Sequence, residues 1–226
     1  MADLTRLERR SPAVAILTLD HPERRNALSI AMRDEISARL DSLAADPELA
    51  VLVITGSGTV FCSGFDLREF ERAASDAEFA TALWASSDRY HETVATFPLV
   101  TIAALNGPAI AGGFDLAALC DLRVAATTTM FSHPEHAFAE VVYGPLHDLV
   151  GGGLARELAL TGRVVAAAEA LDAHLVSAVV EPDDVVARAL EMADEIAVAP
   201  AEIVRRMKAK ILRRAGFTAG AGTLEL

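Results

Sequence analysis

Two glycine-bearing junctions carry the chemistry that can be read from this chain. The apolar run Val51-Leu-Val-Ile-Thr55 leads to Gly64-Phe65-Asp66, and a second run, Leu99-Val-Thr-Ile-Ala-Ala-Leu105, leads to Gly112-Gly113-Phe114-Asp115. Glycine lets the backbone approach a ligand closely. Two such junctions side by side can aim two backbone N–H groups at one oxygen atom. A helix N-terminus behind one of them adds a dipole that favours a developing anion. The same residues also fit two ordinary turns that need small side chains, and spacing alone does not choose.

Other motifs fall short. Gly56-Ser-Gly58-Thr-Val-Phe61 has Phe61 where a dinucleotide-binding loop needs its third glycine. The chain has neither a phosphate-loop Gly-Lys-Ser/Thr nor a Gly-x-Ser-x-Gly nucleophile elbow. His133-Pro-Glu-His136 offers two imidazoles, but a proline separates them and no third ligand stands nearby, so no metal site is expected. Cys62 and Cys120 are too few for a disulfide scaffold or a zinc site. Cys62 has apolar neighbours and reads as a small packed residue, not a nucleophile.

The elements that would position the junctions follow from periodicity. Val14–Leu19 reads as a strand closed by Asp20-His-Pro22. A helix follows, with Ser29 as N-cap and Met32, Ile36, Leu40 and Leu43 on one face. Val51–Thr55 and Leu99–Leu105 read as strands buried on both faces, with a helix from about Asp76 to Thr96 between them. Phe114–Cys120 reads as an apolar helix, Leu122–Ala125 as a strand and Met130-Phe131 as the start of another. From Leu154 onward helix dominates, apart from a candidate strand over Leu175–Val180. This alternation favours α/β architecture.

The chain has 226 residues and a net charge of −12. That length suits one domain with a real core, here 1–182, followed by a helical segment 183–226 that begins near Glu181-Pro182-Asp183-Asp184. The acidic balance argues against nonspecific nucleic-acid binding. No apolar run approaches the ~20 residues of a membrane span. The start, Met1-Ala2-Asp3-Leu4, lacks a signal-peptide core, so a reducing cytoplasm is the expected location. Positive charge collects in Arg205, Arg206, Lys208, Lys210, Arg213 and Arg214, on a helix whose apolar side would be Ile203, Met207 and Ile211. That block reads as a dock for phosphates or as helix-dipole compensation on a solvated face. The residues after Gly216 read as a mobile end.

Four ordered blocks resemble the enoyl-CoA hydratase/isomerase (crotonase) family. They are His21-Pro-Glu-Arg-Arg-Asn-Ala-Leu28, Gly58-Thr-Val-Phe-Cys-Ser-Gly-Phe-Asp-Leu67, Ala103 to Ala117 and Cys120-Asp-Leu-Arg-Val-Ala125. Leu158-Ala-Leu-Thr-Gly-Arg163 and Ala168-Glu-Ala-Leu171 are similar to its later segments. The likeness runs from about residue 12 to residue 212. It implies an α/β, crotonase-like spiral of ββα units with a short C-terminal helical region, assembled as a homotrimer or hexamer. It implies acyl-CoA as the small-molecule substrate, with no cofactor beyond the coenzyme A that the substrate carries.

The resemblance also implies roles. The amides of Phe65 and Gly112 would form the oxyanion hole. Arg24, Ala27, Ser63, Asp66, Leu67, Arg68 and Gly113 would contact substrate or CoA. The family's two catalytic carboxylates fall on Asp115 and Glu135. Asp115 is one methylene shorter than the usual Glu, and it also fits a first-turn Asp that complements a helix dipole. The family's Gly-rich turn after the second carboxylate is replaced by Phe138-Ala-Glu-Val-Val-Tyr-Gly-Pro-Leu-His-Asp-Leu149, about four residues shorter. That rebuilds the acyl wall and brings in Glu140 and Tyr143. His147-Asp148 reads as a surface pair; His91 reads as a partly exposed helical histidine, or, as the resemblance implies, as a residue near the pocket entrance. The family commonly carries a few dozen further residues at the C-terminus.

The expected activity is hydration of a 2-enoyl-CoA through Asp115 and Glu135. One alternative is isomerisation of a 3-enoyl-CoA to a 2-enoyl-CoA with Glu135 as sole base. Another is an acyl-CoA-binding protein with weakened catalysis.

Overall fold

The computed structural model describes residues 3–216 together with Thr223 and Leu226. Residues 217–222, 224 and 225, read above as a mobile end, lie outside the described residues.

The chain opens with β1 (Thr5–Arg9) and β2 (Val14–Leu19), an antiparallel pair. Helix α1 (Ile30–Ala44) starts at Ser29, whose hydroxyl accepts from the Met32 N–H. Strand β3 (Val51–Gly56) then pairs parallel to β2. A short helix α2 (Leu67–Ala73) is capped by Asp66, and α3 (Ala77–Ala95) by Asp76. Strand β4 (Val100–Leu105) pairs parallel to β3. Next come β5 (Ala109–Ile110), α4 (Gly112–Leu119), β6 (Leu122–Ala126) and β7 (Met130–Ser132). A 3-10 turn, Pro134–Ala137, leads to α5 (Gly144–Thr161). The rest is β8 (Val165–Ala166), α6 (Ala167–Asp172), β9 (Ala178–Val180), α7 (Val185–Ala197) and α8 (Ala201–Ala215).

The main sheet runs β1-β2-β3-β4-β6-β9, and all its pairings after β1–β2 are parallel. Alternation sends the side chains of β2, β3 and β4 into two cores. Leu17, Leu19, Leu52, Ile54, Ala103 and Leu105 pack with α1, α3 and α4 residues such as Leu40, Tyr90 and Phe114. Val14, Ile16, Val51, Val53, Ile102 and Ala104 pack with Val185, Ala189 and Ala193 of α7 and Val204 of α8. A sheet covered on both faces explains why these strands read as continuous apolar runs. The smaller sheet, β5-β7-β8, sits beside the second junction.

Several boundaries differ from the sequence reading. Strand β1 carries little apolar signal; its end is tied to α1, where the Glu35 carboxylate accepts from the Leu4 and Thr5 amides and the Thr5 hydroxyl. Helix α5 begins ten residues before Leu154, with Pro145 in its first turn, and breaks at Gly151 (φ 74°, ψ 160°). The strand expected over Leu175–Val180 keeps only Ala178–Val180, because Leu175 and Val176 turn into the core. On α8 the expected apolar side is wrong: Ile203, Met207 and Ile211 are 50%, 55% and 46% exposed, while Val204 and Lys208 face inward.

Candidate active site

Asn26 organises the first junction. Arg25 and Asn26 both adopt left-handed backbone (φ 51° and 53°), a region where Asn is tolerated better than most residues. This turns the Asn26 amide into the loop after β3. Its Nδ2 donates to the carbonyls of Ser57, Val60 and Phe61, and its Oδ1 accepts from the His21 N–H. The amides of Phe61 and Cys62 then donate to the Pro108 carbonyl, and Ile110 N–H donates to the Cys62 carbonyl. The loop after β3 is thereby laced to the segment that precedes α4.

The two glycine junctions meet. At Gly64 (φ +86°), an added Cβ would lie 2.7 Å from the Ala111 Cβ and 3.1 Å from the Gly112 nitrogen. One added at Gly112 would lie 3.1 Å from the Phe65 ring. Ala111 precedes α4 in a conformation rare for a residue with a side chain (φ 51°, ψ −129°), local strain of the kind found at functional sites. Gly112 opens α4, so its N–H has no acceptor one turn back. Phe65 and Gly112 both line one cleft of about 830 Å³.

Asp115 and Glu135 line the same cleft from different elements. Asp115 sits in the first turn of α4 and Glu135 in the 3-10 turn after β7. Between them stands His133, wholly buried, with its Nε2 2.9 Å from Asp115 Oδ1. Its ring stacks on Phe114 at 4.6 Å. Asp115, His133 and Glu135 present donor atoms within 4.8 Å of one another. The third group that seemed missing beside His133 is thus Asp115, brought in from α4, and not His136. These donors could span a small cation, but the imidazole–carboxylate hydrogen bond already joins two of them. The arrangement is suited to moving protons.

The electrostatics fit that use. Burial pushes the Glu135 carboxyl up to about 7; the charges of His133 and His136 oppose the rise and that of Asp115 adds to it. Glu135 Oε2 is buried without a hydrogen-bond partner among the described residues. Burial alone would lower the His133 pKa, but the hydrogen bond and charge of Asp115, with the charge of Glu135, raise it above the ordinary histidine value.

Of the substrate-contacting residues expected from sequence, Arg24, Ala27, Ser63, Asp66, Leu67 and Arg68 line the cleft, as does Glu140. Gly113 does not: it is packed against Cys62, where a Cβ would collide with the Cys62 carbonyl. Tyr143 does not either; it packs against the core and faces the His147 ring at 5.7 Å. Arg24 reaches Asp66 at 3.8 Å across the mouth. Phe138, at the head of the rebuilt wall, lines the cleft too, as do Phe70 and Trp84, for which the sequence carries no signal.

Two further readings change, and those of Cys62 and of His147-Asp148 hold. His91 is buried, not partly exposed, and lines the cleft: its Nδ1 lies 3.0 Å from the Ser87 carbonyl and 3.1 Å from the Thr223 hydroxyl. The C-terminal basic block does not line the cleft. Within it, Lys208 is buried against Asp121 at 2.6 Å, and Arg205 donates to the carbonyls of Ala44 and Asp46. Cys62 is buried and its thiol is pushed up to about 12 by burial, consistent with packing and not attack. His147 and Asp148 do form an exposed pair at 3.4 Å.

The chain resembles known proteins along nearly its whole length. A sequence model described as enoyl-CoA hydratase/isomerase matches residues 9–224. A protein of Mycobacterium tuberculosis named probable enoyl-CoA hydratase is 35% identical over 214 residues, which is 92% of this chain and 81% of that protein. The solved enoyl-CoA hydratase of Bacillus anthracis superposes with a TM-score of 0.87 at 31% identity, covering 95% of this chain and 84% of that one. An enoyl-CoA hydratase/carnithine racemase from Magnetospirillum magneticum superposes with a TM-score of 0.86 at 32% identity, covering 100% of this chain and 85% of that one. These likenesses give the fold as the crotonase-like spiral expected from the sequence blocks.

Proposed function

Because the chain belongs to the enoyl-CoA hydratase/isomerase family, we propose that it hydrates a 2-enoyl-CoA thioester in the cleft where Phe65, Gly112, Asp115 and Glu135 converge. That convergence is the observation that carries the reading. The thioester oxygen would sit at the Phe65 and Gly112 amides, which stabilise it as it becomes enolate-like. One such donor contributes ~3–4 kcal/mol in the transition state. Asp115 takes a proton from water, the hydroxyl adds to C3, and Glu135 delivers a proton to C2. The raised pKa of Glu135 suits it as that proton source near neutral pH.

Arg24, Arg25 and Arg68 at the mouth supply local positive charge for CoA phosphates in a protein of net charge −12. The chemistry asks for no cofactor beyond the CoA of the substrate. The exposed stripe Ile203, Met207 and Ile211 supports assembly as a homotrimer or hexamer, which light scattering tests. The two buried free cysteines suit a reducing cytoplasm, and no helix among the described residues is long and apolar enough to cross a membrane.

The direct test is the enone absorbance of crotonyl-CoA and its longer homologues. Loss of absorbance with enzyme supports hydration; no loss across short and medium chains overturns it. One observation favours a second reading, 3-enoyl to 2-enoyl isomerisation with Glu135 alone: Asp115 Oδ1 is already engaged by His133. Under hydration, Asp115→Asn and Glu135→Gln each abolish turnover; under isomerisation only Glu135→Gln does.

A further inference from the structure

Asp115 is a short carboxylate in a site that must hold a water molecule, and it does not stand alone. His133 reaches it from β7 with Nε2 2.9 Å from Oδ1, from a position 18 residues further along the chain. The ring has little freedom. It stacks on Phe114 at an interplanar angle of 19°, and its own carbonyl accepts from the His136 N–H and from His136 Nδ1. Pro134 follows at once and restricts the His133 backbone to its extended-side conformation (φ −113°, ψ 73°).

The protonation logic has one answer at the contact. An ionised carboxylate only accepts, so Nε2 carries the hydrogen. A neutral ring and an imidazolium both donate from Nε2; they differ at Nδ1, which is buried without a partner among the described residues. In either ring state, then, His133 donates from Nε2 to Asp115 Oδ1. The titratable groups facing it are Asp115 and Glu135.

We infer that His133 is a positioning residue: by donating to Oδ1 it holds the Asp115 carboxylate in one rotamer, leaving Oδ2 free to take the proton of the water that adds to C3. The opposite role, sequestering Asp115 so that Glu135 works alone, makes the reverse prediction. The inference rests on the hydratase reading above for its kinetic arm only.

Two variants separate the roles. His133→Phe keeps the ring stacked on Phe114 but removes the donor. His133→Gln restores a donor without a titrating ring. With crotonyl-CoA as substrate, kcat of His133→Phe is expected to fall by about 10²-fold, the scale of a catalytic group misplaced by an ångström, with KM changed far less. His133→Gln is expected to recover most of the loss. Hydration by His133→Phe equal to or faster than wild type overturns the inference, as does failure of His133→Gln to improve on His133→Phe.

A second measurement does not depend on turnover. In the full-length protein the His133 imidazole is titrated by NMR with and without Asp115→Asn. Its pKa is expected to fall in the variant; an unchanged pKa overturns the pairing. If the wild type hydrates nothing, the hydratase reading fails while this titration still decides whether the pair exists.

Discussion

The guanidinium carbon of Arg33 lies 4.4 Å from the centre of the Phe65 ring, and Arg33 is wholly buried. Its Nη1 donates to the Leu28 carbonyl, its Nη2 to the Leu83 carbonyl and its Nε to the Ser86 hydroxyl. One cation therefore ties α1, α3 and the loop before α2 together beneath Phe65, which lines the cleft. Burial lowers its pKa, and the charges of Glu69 and Asp34 partly offset this.

Arg33→Met keeps the volume and removes the donors, leaving two carbonyls without a charged partner. Stability measured by urea unfolding should fall by about 2–4 kcal/mol. Turnover should fall more than CoA-thioester affinity, because Phe65 loses the support under its ring. Wild-type stability in this variant would show that the contacts contribute nothing.

The carboxyl of Glu135 titrates near 7 where an ordinary Glu has 4.5. Hydration uses its protonated form, so the rate of hydration should decline as pH rises through about 7. Dehydration of the 3-hydroxyacyl product uses the ionised form and should rise through the same pH. The folded state binds its proton more tightly than the unfolded chain, so stability from this group is lost as pH climbs from about 4.5 to about 7. Glu135→Gln should therefore be more stable than wild type at pH 8 and similar to it at pH 4. Parallel limbs for the two reaction directions would sink the assignment of Glu135 as proton donor.

Gly64→Ala forces a side chain onto a backbone at φ +86° and against the Ala111 Cβ at 2.7 Å. A loss of ~2 kcal/mol or more is expected, with kcat reduced because the two junctions are pushed apart. Gly153→Ala is the control: an added Cβ there meets nothing within 4 Å, and a helical alanine should add up to ~1 kcal/mol. Thermal melts of the two variants should move in opposite directions.

Lys208 and Asp121 form a buried pair at 2.6 Å, and the same carboxylate accepts from the Thr101 N–H and hydroxyl. Lys208→Ala strands that carboxylate and should cost about 3–5 kcal/mol in chemical denaturation. Adding Asp121→Asn should recover part of the loss. Substituting Lys210, which is exposed on the same helix, should leave stability within about 0.5 kcal/mol of wild type.

Local signals carried the elements well. Ser29 caps α1 as its side chain indicates, α3 starts where the helix over 76–96 is expected, and β2, β3 and β4 appear as the apolar runs they spell. The pairing of Asp115 with His133 was not visible, because it needs α4 and β7 to be laid side by side. Nothing in the spacing of α1 marks Arg33 as buried; the arrival of α3, with Leu83 and Ser86, buries it. His91 reads as exposed until Thr223, 132 residues away, returns to cover it. On α8, Lys208 took the inward position that the pattern gave to Ile203, Met207 and Ile211, because Asp121 waits there. What escaped the sequence was partnership across the fold, which periodicity does not encode.

The groups that the proposed oxyanion hole uses, the Phe65 and Gly112 amides, are main-chain atoms. An amide is present whatever letter the gene writes, and only proline deletes it. Drift can therefore rewrite the wall formed by Phe138, Ala139 and Glu140, which is exposed and irregular, without erasing the grip opposite it. The molecule divides into a grip whose chemistry is main chain, spoiled only where a side chain forces the backbone apart, and a wall whose side chains can vary. A library randomised at 138–140 should yield new acyl preferences in a scaffold that still folds.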